Sequence, residues 1–258
     1  MKINKTKAKL QGLRKFNLIM AGLHGLQAVA IAVLSNDSTL PVKASFLEFD
    51  QASQSLVLGS TELFQVQLAW LIVAFLALSA VAHLLIATVY RAKYERDLKK
   101  GINRMRWYEY SLSASIMMVA IAMLVGVYDA GSLIMLFSLV AVMNLCGLIM
   151  EIHNQSTKKV SWLSFNIGTF AGIMPWLVVA FYFWTSSQYG SGEVPTFVYW
   201  IYGSIFAFFN TFAINMVLQY RKVGKWHDYL YGEKTYIVLS LVAKSALAWQ
   251  VYAGTLQP

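Results

Sequence analysis

Seven stretches of mainly apolar residues, each close to the length that crosses a bilayer, dominate this chain of 258 residues. They run over about residues 13–35, 63–90, 105–127, 131–151, 162–185, 196–219 and 235–255, with polar or charged clusters between them. A hydrocarbon core about 30 Å thick takes roughly 20 helical residues to span, and inside it every backbone N–H and C=O must be bonded within the segment. The pattern therefore predicts an all-α membrane protein, a seven-transmembrane helix bundle, multi-pass in a cell membrane and surrounded by the lipid bilayer. Charged side chains make up only 13% of the chain, against about 25% in an ordinary soluble domain, too few to clothe a water-facing exterior. The first run ends in Ser35-Asn36-Asp37-Ser38 without a small-residue cleavage signal, so it is expected to remain as the first helix. No internal repeat or low-complexity tract interrupts the sequence, and a single domain over residues 1–258 is expected.

The charges orient the bundle. Nineteen of the 21 Lys and Arg residues lie before the first span, in the loops after the second, fourth and sixth, or in the first few residues of the spans that adjoin them. An even number of crossings separates these segments from one another, which puts them all on one side, and the positive-inside rule makes that side cytoplasmic. The N-terminus is then cytoplasmic and the C-terminus extracellular. The net charge of +9 is a topology signal; the bases flank spans instead of lining a groove interleaved with aromatics, so no nucleic acid is expected as a partner. The opposite side carries Lys43 alone, with Asp37, Glu48, Asp50, Glu62, Asp129 and Glu193. One cysteine, Cys146, excludes a disulfide framework, and four scattered histidines show no zinc-binding spacing, so no metal is expected. No glycine-rich phosphate loop is present either.

The longest segment on the predicted extracellular side, residues 36–62, contains alternating stretches: Val42, Ala44 and Phe46 against Lys43 and Ser45, then Ser55-Leu56-Val57-Leu58. These suit two short strands closed into a β-hairpin, with an irregular loop as the alternative. An exposed strand edge pairs readily with another copy, which makes this loop the candidate contact of a homodimer.

One base remains. Lys244, in the run Ser240 to Gln250, lies about nine residues into the seventh span. A lysine near mid-membrane costs about 2.5–3.5 kcal/mol even on the lenient insertion scale, so it needs a partner or a function. Glu109, a few residues inside the third span, is the acid that this reading places within a span away from the loops, at a compatible depth. Two readings stay open: a buried ion pair that ties two helices together, or an amine held out of water, available to condense with an aldehyde while the carboxylate balances the resulting charge. Glu109, Ser113 and Met117 share one helical face, and Tyr236, Ser240 and Lys244 share another. Arg106, one turn before Glu109, is expected to cap the cluster from the cytoplasmic side. His24 and His83 lie inside spans 1 and 2, either as packing residues or in the Glu109 network.

The stretch RWYEYSLSAS (Arg106 to Ser115), GIMPW (Gly172 to Trp176), AFFNTFA (Ala207 to Ala213) and the run from Gly232 to Leu256 that contains Lys244 resemble the microbial retinal-binding rhodopsins, and among them the heliorhodopsins, over essentially the whole chain. The resemblance implies all-trans retinal on Lys244 as a protonated Schiff base, Glu109 as counterion and Ser240 bonded nearby. It also implies a polar cavity of His24, Ser79 and His83, Phe209 against the polyene, and Met117, Pro175 and Trp176 in the pocket. The family is inverted, with a cytoplasmic N-terminus, dimeric, and generally without ion pumping; the charge count reaches the same orientation independently.

A proton pump also needs a second carboxylate beyond the linkage. Three turns past Glu109 stands Ala120, and the outer half is read as offering only Asn144, Asn215 and hydroxyls. A channel lacks a continuous polar stripe, and an enzyme lacks a nucleophile–base or metal constellation. The expectation is a light sensor that signals to a cytoplasmic partner, its photolysed proton kept in the His24, Ser79 and His83 cavity, with a light-driven proton transporter as the alternative.

Overall fold

The computed structural model describes residues 2–190 and 194–257, with side chains from residue 8 onward; Glu193 and the side chains of Lys2, Lys5 and Lys7 lie outside the described residues. Among the described residues there are eight α-helices and one hairpin, besides short helical turns at Gly224–His227 and Tyr252–Leu256: α1 Lys2–Leu34, β1 Thr39–Asp50, β2 Ser55–Gln67, α2 Leu68–Ala87, α3 Arg91–Lys99, α4 Arg104–Leu124, α5 Ala130–His153, α6 Leu163–Tyr189, α7 Thr196–Tyr220 and α8 Tyr229–Val251. Seven of these, all but α3, are long and apolar enough to cross a membrane, and the protein is a multi-pass membrane protein. Their outer faces carry large exposed apolar side chains such as Leu26, Val33, Phe170, Leu177 and Trp200, which suit lipid.

Around the bundle α1 packs on α2, α4 on α5, α5 on α6 and α7 on α8, with α2 beside α4 and α8 returning to α1. The seam between α6 and α7 is aromatic. Phe183 stands edge-on to Tyr199 at 4.7 Å, and Trp176 meets Tyr202, Phe206 and Phe209 at 5.3–5.8 Å between ring centroids. Helix starts carry their own signals. Asn103, Asp129 and Asp228 cap α4, α5 and α8 by accepting the backbone N–H of Arg106, Ser132 and Leu230.

The segment after α1 is an antiparallel hairpin, paired from Thr39 opposite Gln67 to Asp50 opposite Ser55, with a shift of register between Val42 and Lys43 that leaves Leu63 without a partner across the ladder. It is longer than the sequence pattern implies. Residues 63–67, read as the start of the second span, continue strand β2, because Phe64 to Gln67 pair with Val42 to Thr39 at the start of β1; the helix begins at Leu68. The backbone N–H of Lys43 donates to the carbonyl of Tyr128 at 2.8 Å, which anchors the hairpin to the α4–α5 turn. The short helix α3 is a further departure from the sequence pattern. Its Tyr94 and Leu98 recur at i, i+4 and are buried, a single apolar stripe too short to read as a span. α8 starts six residues before the apolar run of the seventh span, since Asp228 caps it.

Helices α5 and α6 approach closely where glycine allows it. A Cβ on Gly168 would stand 2.9 Å from the Cβ of Cys146 and 3.2 Å from the carbonyl oxygen of Met143, and neither atom can move away cheaply. The Gly168→Ala variant is expected to lose about 1–3 kcal/mol of stability through overpacking, seen as a lower melting temperature in detergent. Gly12, where an added Cβ meets nothing within 4 Å, is the control: Gly12→Ala should be neutral or stabilising by up to about 1 kcal/mol.

Candidate functional site

Lys244 projects from α8 into the bundle beside buried Ala243, Leu247 and Ala248. Its Nζ donates to Glu109 Oε1 of α4 at 2.8 Å and to Ser240 Oγ, one turn back on its own helix, at 3.0 Å. Lys244 and Glu109 are both withdrawn from the surface, with side-chain exposures of 4% and 8%. The helical spacing read from the sequence thus brings together the residues it put on facing stripes. The same Glu109 oxygen accepts from Ser79 Oγ of α2 at 2.6 Å. Tyr110 lays its ring 5.1 Å from the ammonium and donates its hydroxyl to the carbonyl of Tyr236.

Two histidines complete this side. His83 places Nδ1 2.7 Å from Asn17 Oδ1. The amide nitrogen of Asn17 is committed to the carbonyl of Leu13, so Oδ1 is the acceptor and His83 donates through Nδ1. His24 is fully buried, stacks on His83 at 5.6 Å between ring centroids, and has no hydrogen-bond partner among the described residues. Ser79 thus bonds to Glu109, His83 shares a small cavity with it, and His24 joins this side through its stack on His83.

On the other side of Lys244 a cavity of about 160 Å³ opens between α4, α5, α6 and α7. Ser113, Met117 and Phe209 line it as the sequence reading expects, joined by Trp107, Tyr110, Met143, Phe212 and Met216. Its wall follows α4 from Trp107 to Met117, roughly 15 Å at 1.5 Å per residue. Gly147 and Gly168 form part of this wall. A Cβ on Gly147 would press into the ring of Trp107, so the glycine keeps the chamber open. Ser113 is fully buried with its hydroxyl unpartnered among the described residues.

Several expectations need correction. Pro175 and Trp176 are buried but stand one layer behind the wall, where Trp176 packs edge-on against Phe209 at 5.6 Å. Asn144, assigned to the outer half, lines the chamber and donates to the carbonyl of Val140. Asn215 sits at the opposite end from the one assigned, between Gly232 and Trp226 at the start of α8. Arg106 does not cap Glu109. The i, i+3 spacing leaves both side chains on one side of α4, lining the same small space, but the Arg106 guanidinium is taken up by Glu151 and Glu233 from α5 and α8 instead.

Those two acids went unrecognised in the sequence. Glu151 falls on the last residue of its span, and Glu233 precedes the apolar run, so neither stands out as an acid within the membrane. Both are 1% exposed. Glu151 accepts from Arg106, Tyr229, Trp107 Nε1 at 2.7 Å and the backbone of Asn103 at 2.9 Å. Glu233 accepts from Arg106, Tyr94 at 3.0 Å and Asn103 Nδ2 at 2.7 Å. The Arg106 guanidinium also lies 4.0 Å from the ring of Tyr236 and 4.9 Å from that of Trp107. The signal that could have found Glu233 is Asp228, whose capping position puts it inside the helix.

A bundle of seven membrane-spanning helices, with a lysine of the last one paired to a carboxylate at the mouth of an apolar chamber, has the architecture of a membrane photoreceptor. The heliorhodopsin family model matches residues 13–256, nearly the whole chain, and the chain belongs to the heliorhodopsin family, a class of non-enzymatic photoreceptors. No curated protein matches it.

The inner cluster gives a stability prediction. Arg106→Ala leaves two buried carboxylates without their cation and should cost about 3–5 kcal/mol. Arg106→Lys should recover little of it, since an ammonium lacks the planar fork that reaches both acids. Thermal melts of the purified variants check both outcomes.

Proposed function

We propose that this protein is a retinal photoreceptor in which Lys244 carries all-trans retinal and Glu109 is the counterion. The observation that carries this reading is the position of the Lys244 Nζ: 2.8 Å from Glu109 and in the wall of an apolar chamber. An ion pair serving only to join α4 and α8 needs no such chamber beside it. Bound as a protonated Schiff base, retinal would supply absorption in the visible and a light-driven change of shape. The residues present fit it. Met117, Phe209, Phe212 and the glycine-backed ring of Trp107 offer apolar wall, and Ser240 and Ser79 hold the two ends of the charge pair. Glu109 stabilises the positive nitrogen and accepts its proton when the two separate, and His24 and His83 stand behind it as further proton acceptors.

The physiological role we infer is sensory or regulatory without ion pumping, signalling to a cytoplasmic partner. From Ala120 onward the buried face of α4 is apolar, with Ile121, Ala122 and Met123, and offers no exit group for a proton. The basic loops support a cytoplasmic N-terminus. The exposed apolar side chains of the hairpin strands, Leu47, Phe49, Leu56 and Leu58 among them, support its use as the contact of a homodimer.

Adding all-trans retinal to the purified protein should produce a visible band, and Lys244→Ala should never form one. Glu109→Gln should move the band to longer wavelength or, by letting the nitrogen lose its proton, into the near ultraviolet. A coloured Lys244→Ala protein refutes the linkage, and a band unchanged in Glu109→Gln refutes the counterion.

Orientation is tested by cysteines placed on a background lacking Cys146. One at Asp50 should react with an impermeant thiol reagent added to intact cells, and one at Lys99 should not. The reverse pattern would invert the topology.

A further inference from the structure

Between Glu109 and the inner carboxylate cluster lies a second cavity, of about 30 Å³, walled in part by His83, Asn103, Arg106, Glu109, Tyr110 and Glu233. A buried water needs about 10–15 Å³ of such space and two to four polar partners, and both are available here. The cavity places the carboxylate that faces Lys244 and a carboxylate of the inner cluster on one water-sized space. They are otherwise far apart in the fold: Glu233 and Lys244 are three helical turns apart on α8, a rise of roughly 16 Å.

The charge of the inner cluster matters as much as its position. Glu151 and Glu233 share the single guanidinium of Arg106, which leaves a formal excess of one negative charge among buried groups. One added proton makes the cluster neutral and removes the penalty of a net charge in a low-dielectric interior. The proton has one favoured place. Glu151 accepts four hydrogen bonds and does not reach the cavity, while Glu233 accepts three and lines it. The groups that face Glu233 are Arg106, Tyr94 and Asn103, with His83 and Glu109 across the cavity.

We propose that Glu233 is a second proton-holding residue of this protein, exchanging a proton with Glu109 through water in this cavity; the proposal rests on the photoreceptor reading for the event that first delivers the proton. Glu109 receives a proton from the Lys244 nitrogen to which it is bonded. It passes that proton to the water, the water gives one to Glu233, and Glu109 ends as carboxylate with Glu233 as carboxylic acid. The water is regenerated and no other reactant is consumed. Arg106 holds Glu233 in place and, relieved of one of its two anions, is freed to follow Glu151 alone, which converts a proton movement into a rearrangement at the ends of α4, α5 and α8.

The test is infrared difference spectroscopy on the retinal-loaded protein, light minus dark, with Glu233→Gln and Glu151→Gln. A carboxylic-acid stretch should appear on illumination, shift in heavy water, vanish in Glu233→Gln and survive in Glu151→Gln. Glu233→Asp, which retains the acid and shortens its reach, should shift that stretch and slow its rise several-fold, and it serves where Glu233→Gln does not fold. Retinal-free protein titrated in the dark should show a buried carboxylic-acid stretch that depends on Glu233. The proposal is overturned by a light-induced stretch unaltered in the Glu233 variants, or by its absence in wild type when the visible spectrum does change. Protein that takes up no chromophore fails the photoreceptor reading, and the dark titration still decides whether Glu233 holds a proton.

Discussion

A lysine cannot stay charged in the middle of a membrane protein without an anion beside it, and the pairing of Lys244 with Glu109 is the constraint around which the bundle is arranged. Removing either partner alone strands a buried charge. The pair also ties two helices far apart in sequence, α4 and α8, at one depth, while Ser79 brings in α2. Ser240 sits one turn below the lysine and holds its nitrogen in place. That leaves the far side of the nitrogen facing the chamber formed with α5, α6 and α7.

The two buried charge systems differ in how densely they are bonded. The Lys244 pair is sparse, with two hydroxyl groups and a tyrosine ring around it; on this side of the bundle His24 and Ser113 have no hydrogen-bond partner among the described residues. Such a site can change protonation without breaking a large network. The Arg106 cluster is dense, gathering donors from α3, α4, α8 and the turn before α4 onto two carboxylates. Tyr110 and Tyr236 connect the two systems. The first contacts the ammonium and donates to the backbone of the second, whose ring lies on the guanidinium. A change of charge at Lys244 therefore has a packed route to the end of the bundle where the basic loops lie.

Helix number and the Lys244–Glu109 pair were legible in the sequence because both rest on strong local signals, bilayer-length apolar runs and a charge where none is tolerated. The facing of Ser113 and Ser240 followed from 3.6-residue periodicity. What was missed lay at boundaries. Hydropathy places a span edge near the first charged residue, so Glu151 falls on the last residue of its span and Glu233 just before the next apolar run, although capping and hydrogen bonding keep both inside helices. The same effect shortened the hairpin, since Leu63 and Phe64 are apolar enough to pass for the start of a helix. Arg106 was assigned the nearest acid along the chain, whereas across the bundle two others were closer. Trp176 was placed in the chamber by resemblance, but the ring of Phe209 stands in front of it.

The central claim is that the amine of Lys244 bonds covalently to retinal, and chemical trapping addresses it most directly. Retinal-loaded protein reduced with borohydride under illumination, digested and analysed by mass spectrometry should carry the retinyl group on the peptide containing Lys244 and on no other lysine. A coloured protein that yields no retinyl peptide, or one labelled at another lysine, would contradict it.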